Sequence, residues 1–169
     1  MVSIIFTEPL TRAAFAAFGE VIETDGAVHY PINQGHCERY HALAKAAVKG
    51  SGGQVGINIF RAQPYALPLR LTMMERHPLG SQAFMPLSLN PFLVVVAPDE
   101  NGAPGMPRAF ITKPGQGVNY PPNLWHGVVT PIGEAQDFLV VDRIGEGLNL
   151  EEFLFPLPYD IHNKCELSK

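Results

Sequence analysis

Glu75 and His77 close an alternating run, LPLRLTMMERHPLGSQ (67–82), in which Leu67, Leu69, Leu71 and Met73 share their parity. In an extended strand, residues of one parity point to one face. The alternation therefore predicts that Glu75 and His77 enter the same apolar interior as the residues before them. Ionisable side chains aimed into an apolar interior are costly unless paired, hydrogen-bonded or metal-bound, so the two mark a candidate site. A carboxylate beside an imidazole can move protons, and the same pair can ligate a divalent ion.

A second segment, GQGVNYPPNLWHGVV (115–129), supplies another histidine. Its spacing resembles the second cupin motif, with Gly115, Pro121 and His126 in register. Asn123 stands where the motif has a glycine, a lenient exchange because Asn enters the left-handed backbone region more readily than other side-chain-bearing residues. Thr130 stands where the motif ends in Asn. In the first cupin motif, Glu75 and Gln82 replace a His and the Glu, while His77 keeps its place. The resemblance implies a cupin double-stranded β-helix, or jelly-roll barrel, dominated by β-structure and carrying a short N-terminal helix. It would gather Glu75, His77, Gln82 and His126 at the barrel mouth. Two imidazoles, a carboxylate and a weak amide oxygen suit a divalent first-row ion. A metal-free hydrogen-bonded network around an organic anion is the alternative use of the same four residues.

The elements needed to position these residues are legible as punctuation. Thr11 can cap a helix, with Leu10 and Phe15 at the places of a hydrophobic staple and Gly19 just past its end. Thereafter VGINIFRAQ (55–63), LRLTMMERH (69–77), FLVVVA (92–97), AFIT (109–112), WHGVVT (125–130) and DFLVVDRI (137–144) read as short strands between Pro, Gly and Asn turns. That rhythm independently suggests a sandwich or barrel. GSGG (50–53) reads as a flexible turn and APDENGAPGMP (97–107) as an exposed excursion. The tail beyond Pro158 is polar and is expected to be partly disordered or to pack on a neighbouring subunit.

At 169 residues the chain is expected to form one domain, 1–169. A net charge of -4 with scattered Lys and Arg gives no phosphate-tracking surface, so nucleic acid is not an expected partner. Cys37 and Cys165 are too few and too far apart for a disulfide framework or a metal knuckle, which favours a reducing, cytoplasmic setting. No leader-like segment or membrane-length apolar run occurs, so no membrane association is expected.

At finer grain, INQGHCERYHALA (32–44), FRAQPYALPL (60–69), MERHPLGSQAFMPL (74–87), GVNYPPNLWH (117–126) and DFLVVDR (137–143) resemble the ureidoglycolate lyase family. The resemblance implies a homodimeric cupin enzyme of purine and allantoin catabolism. Its reaction would release urea from (S)-ureidoglycolate and leave glyoxylate, with a divalent metal, often nickel, and no organic cofactor. The small-molecule substrate has a carboxylate, a hydroxyl and a ureido group on one carbon. Cleavage needs an anion clamp, a base at the hydroxyl and a proton for the departing nitrogen. His77, His126 and Glu75 are candidate acid, base or metal groups.

Arg61 shares parity with Val55, Ile57 and Ile59; pointing inward it could grip a carboxylate, or else satisfy Glu75 or Asp142 in a salt bridge. Arg39, Tyr40 and His41, in a loop-like stretch, could close over the site, contact a second subunit or simply be surface residues. Tyr120 and Trp125 are expected to wall the pocket. Of Asp142 and Arg143, adjacent on one strand, at most one can face the interior, and parity alone chooses neither. His29, His36 and His162 lie in polar contexts and read as ordinary surface residues. Two other functions remain in play: an amidohydrolase that attacks the ureido carbonyl and releases ammonia, and a non-catalytic cupin that binds a small carboxylate.

Overall fold

The computed structural model describes residues 3–164. The chain opens with β1 (Ser3–Pro9), a one-turn helix α1 (Arg12–Phe15), β2 (Glu20–Ile22) and a hairpin of β3 (His29–Ile32) and β4 (Cys37–Tyr40). There follow β5 (Gln54–Ala62), β6 (Leu69–Arg76), β7 (Gln82–Pro86), β8 (Phe92–Ala97) and a small ladder of β9 (Asp99–Glu100) with β10 (Ala103–Pro104). The second half contains β11 (Arg108–Ile111), β12 (Gly117–Tyr120), β13 (Trp125–His126), β14 (Thr130–Pro131), β15 (Gln136–Ile144) and β16 (Glu151–His162). The fold is all-β and cupin-like, as the motif spacing and strand rhythm anticipate.

Five strands form one sheet in the order β2-β12-β7-β15-β5. The other sheet runs β11-β1-β16-β6-β13-β8-β14, and β8 also pairs with β11, so six of its strands close into a ring. Every strand of that ring contributes to one buried cluster: Ile5, Ile161, Leu71, Met74, Trp125, Leu93, Val95, Ala97 and Ala109. The opposite faces of β8 and β11, through Phe92, Val94, Val96 and Phe110, pack against Val21, Phe84, Val118, Tyr120, Phe138 and Val140 of the five-stranded sheet. Strand β8 is therefore buried on both faces, which is why FLVVVA is apolar without alternation. Leu10, Phe15 and Phe18 close one side of this second core. Thr11 Oγ1 caps the helix by accepting from the Ala14 amide at 3.1 Å.

The alternation that singled out Glu75 does not persist through β6. Leu71 and Met74, three residues apart, both enter the ring's core, with Leu67 and Leu69 packed against the same cluster. Glu75, next to Met74, consequently points the other way, into the gap between the sheets. The break coincides with β16, whose register against β6 jumps between Leu154 and Tyr159. Pro156 and Pro158 lie within the jump, and proline has no amide hydrogen for the ladder.

Those prolines also hide β16 from sequence reading. As far as it is described, the tail beyond Pro158 is ordered in the sheet: Tyr159–Ile161 pair with β6, Ser3–Phe6 lie parallel to Tyr159–His162, and Ile161 is fully buried. Cys165 and the last four residues are outside the described span. The 97–107 excursion is partly structured, since Asp99 accepts from Trp125 Nε1 at 2.8 Å and pairs with Arg76 at 2.7 Å. Strand β13 stops at His126, and β14 rejoins β8 at Thr130 after one extra residue, a bulge within the expected WHGVVT strand.

Phe138 is fully buried and meets Phe92 edge-on at 5.1 Å and Phe84 at 6.3 Å, tying β15 to β8 across the inter-sheet core. Phe138→Ala is expected to cost about 3–5 kcal/mol of unfolding free energy. Urea denaturation of both proteins measures it, and a loss below about 1 kcal/mol would contradict this packing.

Candidate functional site

The site is assembled by two register relations. His126 of β13 sits directly opposite Glu75 of β6, and Tyr120 of β12 opposite Gln82 of β7. In both strands of the first pair the preceding residue, Met74 or Trp125, fills the ring's core, so Glu75 and His126 are turned to the inter-sheet side. The Tyr120 ring, from the facing sheet, stacks on His126 with centroids 4.5 Å apart, while His77 tilts against His126 at 5.2 Å. Asn123 takes a positive φ of 68°, the left-handed conformation its place in the motif demands, and its amide donates to the His77 carbonyl at 3.0 Å.

Glu75 Oε1 lies 3.9 Å from His77 Nε2 and 4.0 Å from His126 Nδ1. One ligand atom from each of the three residues falls within 4.8 Å of the others. His77 Nδ1 donates to the Asn149 carbonyl at 2.6 Å, and His126 Nδ1 to the Gly127 carbonyl at 3.0 Å. A carbonyl only accepts, so each bond assigns the hydrogen to Nδ1 and leaves Nε2 with a lone pair. Both Nε2 atoms are buried without a protein partner, and so is Gln82 Oε1.

Burial dominates the electrostatics. It pushes His126 down to about 3, aided by nearby His77 and opposed by the bond to Gly127, so the ring is neutral near pH 7. Burial also raises Glu75; His77 counteracts this and Glu152 adds to it. Tyr120 is raised by burial and then by Glu75, so its hydroxyl stays protonated. A neutral buried imidazole with a free lone pair is the form that ligates metals, and a cation would restore the carboxylate that burial disfavours. Two imidazoles held by carbonyl anchors, together with a carboxylate, thus fit a divalent ion.

The four residues expected at the barrel mouth divide into three shown to cluster, Glu75, His77 and His126, and Gln82, which is buried with an unpaired oxygen on the strand beside Tyr120. Arg61 is corrected. It faces outward, its side chain 76% exposed, and forms a two-pronged pair with Asp137 at 2.8 and 2.9 Å. Ile57 and Ile59, of the same parity, are 74% and 56% exposed, so the apolar alternation in β5 belongs to an uncovered outer face.

Trp125 is also corrected: next to His126, it points to the opposite face, under Arg76, and does not line the cavity. Asp142 has the inward parity of Phe138 and Val140 and accepts from Asn58 at 2.9 Å. Arg143, on the other face, is buried and donates to the carbonyls of Lys49, Gly145 and Glu146. Arg39, Tyr40 and His41 lie on or beside the β3–β4 hairpin, all exposed. His29 and His36 are exposed too, while His162 is half-buried against Phe6.

Asn149 escaped sequence reading. It holds His77 through its backbone carbonyl, and its side-chain oxygen accepts from the Leu79 amide at 2.7 Å. A backbone acceptor has no sequence signature. Arg143 pins the loop before it, by bonds that parity could not reveal.

A family model described as ureidoglycolate lyase matches residues 2–162. The ureidoglycolate lyase of Chelativorans sp. (strain BNC1) is 66% identical over 158 residues, 94% of this chain and 96% of that protein. That of Mesorhizobium japonicum is 62% identical over 158 residues, covering 94% and 97%. Ureidoglycolate lyase 2 of Rhizobium meliloti (strain 1021) is 54% identical over 153 residues, covering 90% and 94%.

Protein loaded with a first-row divalent ion and then desalted should retain it. His77→Ala and His126→Ala should each reduce the retained metal by about tenfold or more, since losing even indirect support of a ligand costs that much. Elemental analysis against a His162→Ala control measures it, and unchanged metal content in both variants would remove the ion from this cavity.

Proposed function

The chain belongs to the ureidoglycolate lyase family, and on that premise we propose that the Glu75–His77–His126 cavity cleaves (S)-ureidoglycolate to glyoxylate and urea. One observation supports this reading above the others: two imidazoles, each with a buried Nε2 that has no hydrogen-bond partner, cluster with the Glu75 carboxyl. A storage or sensor cupin needs only to bind its ligand. Here a proton-carrying group is also held in place.

The reaction transfers one proton. The hydroxyl hydrogen leaves, its oxygen becomes the aldehyde of glyoxylate, and the carbon–nitrogen bond breaks with its electron pair moving to nitrogen. That nitrogen takes the proton and departs as urea. With no ion bound, Glu75, raised by burial, is suited to hold the proton between the two atoms, because such a carboxyl is both a stronger base and a usable acid. His126, neutral and stacked under Tyr120, offers a lone pair and is too weak a base to be that carrier. His77 Nε2 and Gln82 Oε1 complete the polar lining, beside the apolar inter-sheet core.

The cavity residues Glu75, His77 and His126, with Gln82 as a weaker fourth, would hold a divalent ion, for which the resemblance points to nickel. Bound there, such an ion supplies polarisation of the substrate's oxygens. We further propose a homodimer. Strand β5 is an edge of its sheet and exposes Val55, Ile57 and Ile59, a surface of the kind that proteins cover. Among the described residues no helix is long and apolar enough to cross a membrane.

Metal-analysed protein incubated with each ureidoglycolate enantiomer should yield one urea and one glyoxylate per (S)-substrate. Ammonia without urea would instead indicate attack on the ureido carbonyl. His77→Ala and Glu75→Gln are each expected to lower turnover by about 10²–10⁴-fold with the fold intact by circular dichroism. Near-normal turnover in both would place the chemistry elsewhere.

A further inference from the structure

The substrate proposed for this site carries a carboxylate, and none of this subunit's described arginines is left free beside Glu75, His77 and His126 to receive it. Among the described arginines, Arg12, Arg61, Arg76 and Arg108 are paired with carboxylates and Arg143 with three carbonyls. Arg70 is exposed at the far end of β6 from Glu75, five residues or about 16 Å along the strand. Arg39 remains. Its guanidinium rests on the Tyr30 ring at 6.0 Å, with no carboxylate partner.

Arg39 belongs to the β3–β4 hairpin, which is exposed on both faces: β4 is exposed throughout, and β3 in all but Ile32. Its described side-chain contacts are internal or to its own flanks, namely His29 on Tyr40 at 5.2 Å, Tyr30 against His41 at 5.9 Å and Arg39 over Tyr30. A hairpin lying on its own barrel would bury one face. A bare two-stranded hairpin is at best marginally stable in water, so four aromatic or imidazole rings on one imply a surface that receives it.

The base of the hairpin is firm and lies beside the cavity. Lys45 O accepts from Asn119 Nδ2 at 3.2 Å, the Ala47 amide donates to Ser81 Oγ at 2.7 Å, and the Lys49 amide donates to Leu79 O at 2.7 Å. The segment after the hairpin is therefore tied to residues 79–81, between His77 and Gln82. In a two-fold dimer, an arm rooted at one cavity rim and reaching across the axis meets the equivalent rim of the other copy.

We propose that the β3–β4 hairpin of each subunit docks on the other's cavity, where Arg39 of the partner subunit grips the substrate carboxylate. This rests on the lyase and dimer readings above. Arginine is the side chain suited to the task, since its planar fork matches a carboxylate in two parallel hydrogen bonds. The cavity then divides its labour: Glu75, His77 and His126 act on the hydroxyl and nitrogen end, and the arm holds the carboxylate end. Neither subunit is complete alone.

Mixed dimers test this. Arg39→Ala should lower kcat/KM for ureidoglycolate by about 10- to 100-fold, the loss expected of one charge-assisted clamp, mainly through KM. His77→Ala is expected to lose turnover for a different reason, at the barrel cluster itself. A heterodimer of the two variants, isolated with two affinity tags, should regain about half of the wild-type kcat/KM, because one of its cavities has both an intact barrel and an intact arm. His77→Gln replaces His77→Ala if the latter does not fold. A heterodimer no more active than the Arg39→Ala homodimer would overturn the proposal, as would wild-type kcat/KM in Arg39→Ala or a monomer by light scattering at assay concentration. Absence of urea production by the wild-type protein would instead overturn the lyase reading.

Discussion

Pairing His126 with Glu75 across β13 and β6 is the constraint from which the site's geometry follows. Each strand must send one residue to the ring's core and the next to the inter-sheet gap. Met74 and Trp125 take the core, and their neighbours are left facing one another at 4.0 Å. A slip of one residue in either strand would bury a polar group of the pair in the ring and turn a thioether or an indole to the gap. The apolar packing of Met74 and Trp125 thus holds the polar pair in register.

That placement creates an electrostatic problem which the surrounding backbone solves only in part. The Gly127 and Asn149 carbonyls satisfy one nitrogen of each imidazole and fix its tautomer, leaving the other nitrogen buried and unpartnered. Unsatisfied buried polar atoms are rare because each carries a desolvation cost of about 1–3 kcal/mol. Here they cluster, together with a carboxyl that burial disfavours in its charged form. Such a concentration of local cost is characteristic of a site that expects an occupant.

The ring and the five-stranded sheet serve different ends. The ring is filled by apolar residues from all six strands and supplies rigidity to β6 and β13. The five-stranded sheet contributes Tyr120 and Gln82 on its inner side, but its outer side and its β5 edge expose isoleucines and valine. Exposure of that sheet and of the hairpin gives the subunit a finished interior and an unfinished surface.

Sequence alone determined the β-rich class, the capped N-terminal turn, the span of β8 and the grouping of Glu75, His77 and His126. These depend on local chemistry: residue types that favour strands, a capping hydroxyl, an asparagine able to adopt positive φ, and motif spacings that survive within single elements. The tertiary structure decided what parity could not. Leucines 67, 69 and 71 fill a different core from the one Glu75 faces, because a proline-disrupted neighbour, β16, changes register midway along β6. Arg61 is outside because alternation in β5 reports an apolar face without saying which side of the sheet is covered. Trp125 is turned from the cavity because His126, its neighbour, is turned toward it. Which face a residue occupies is set by long-range pairing, and that information is distributed over strands remote in the chain.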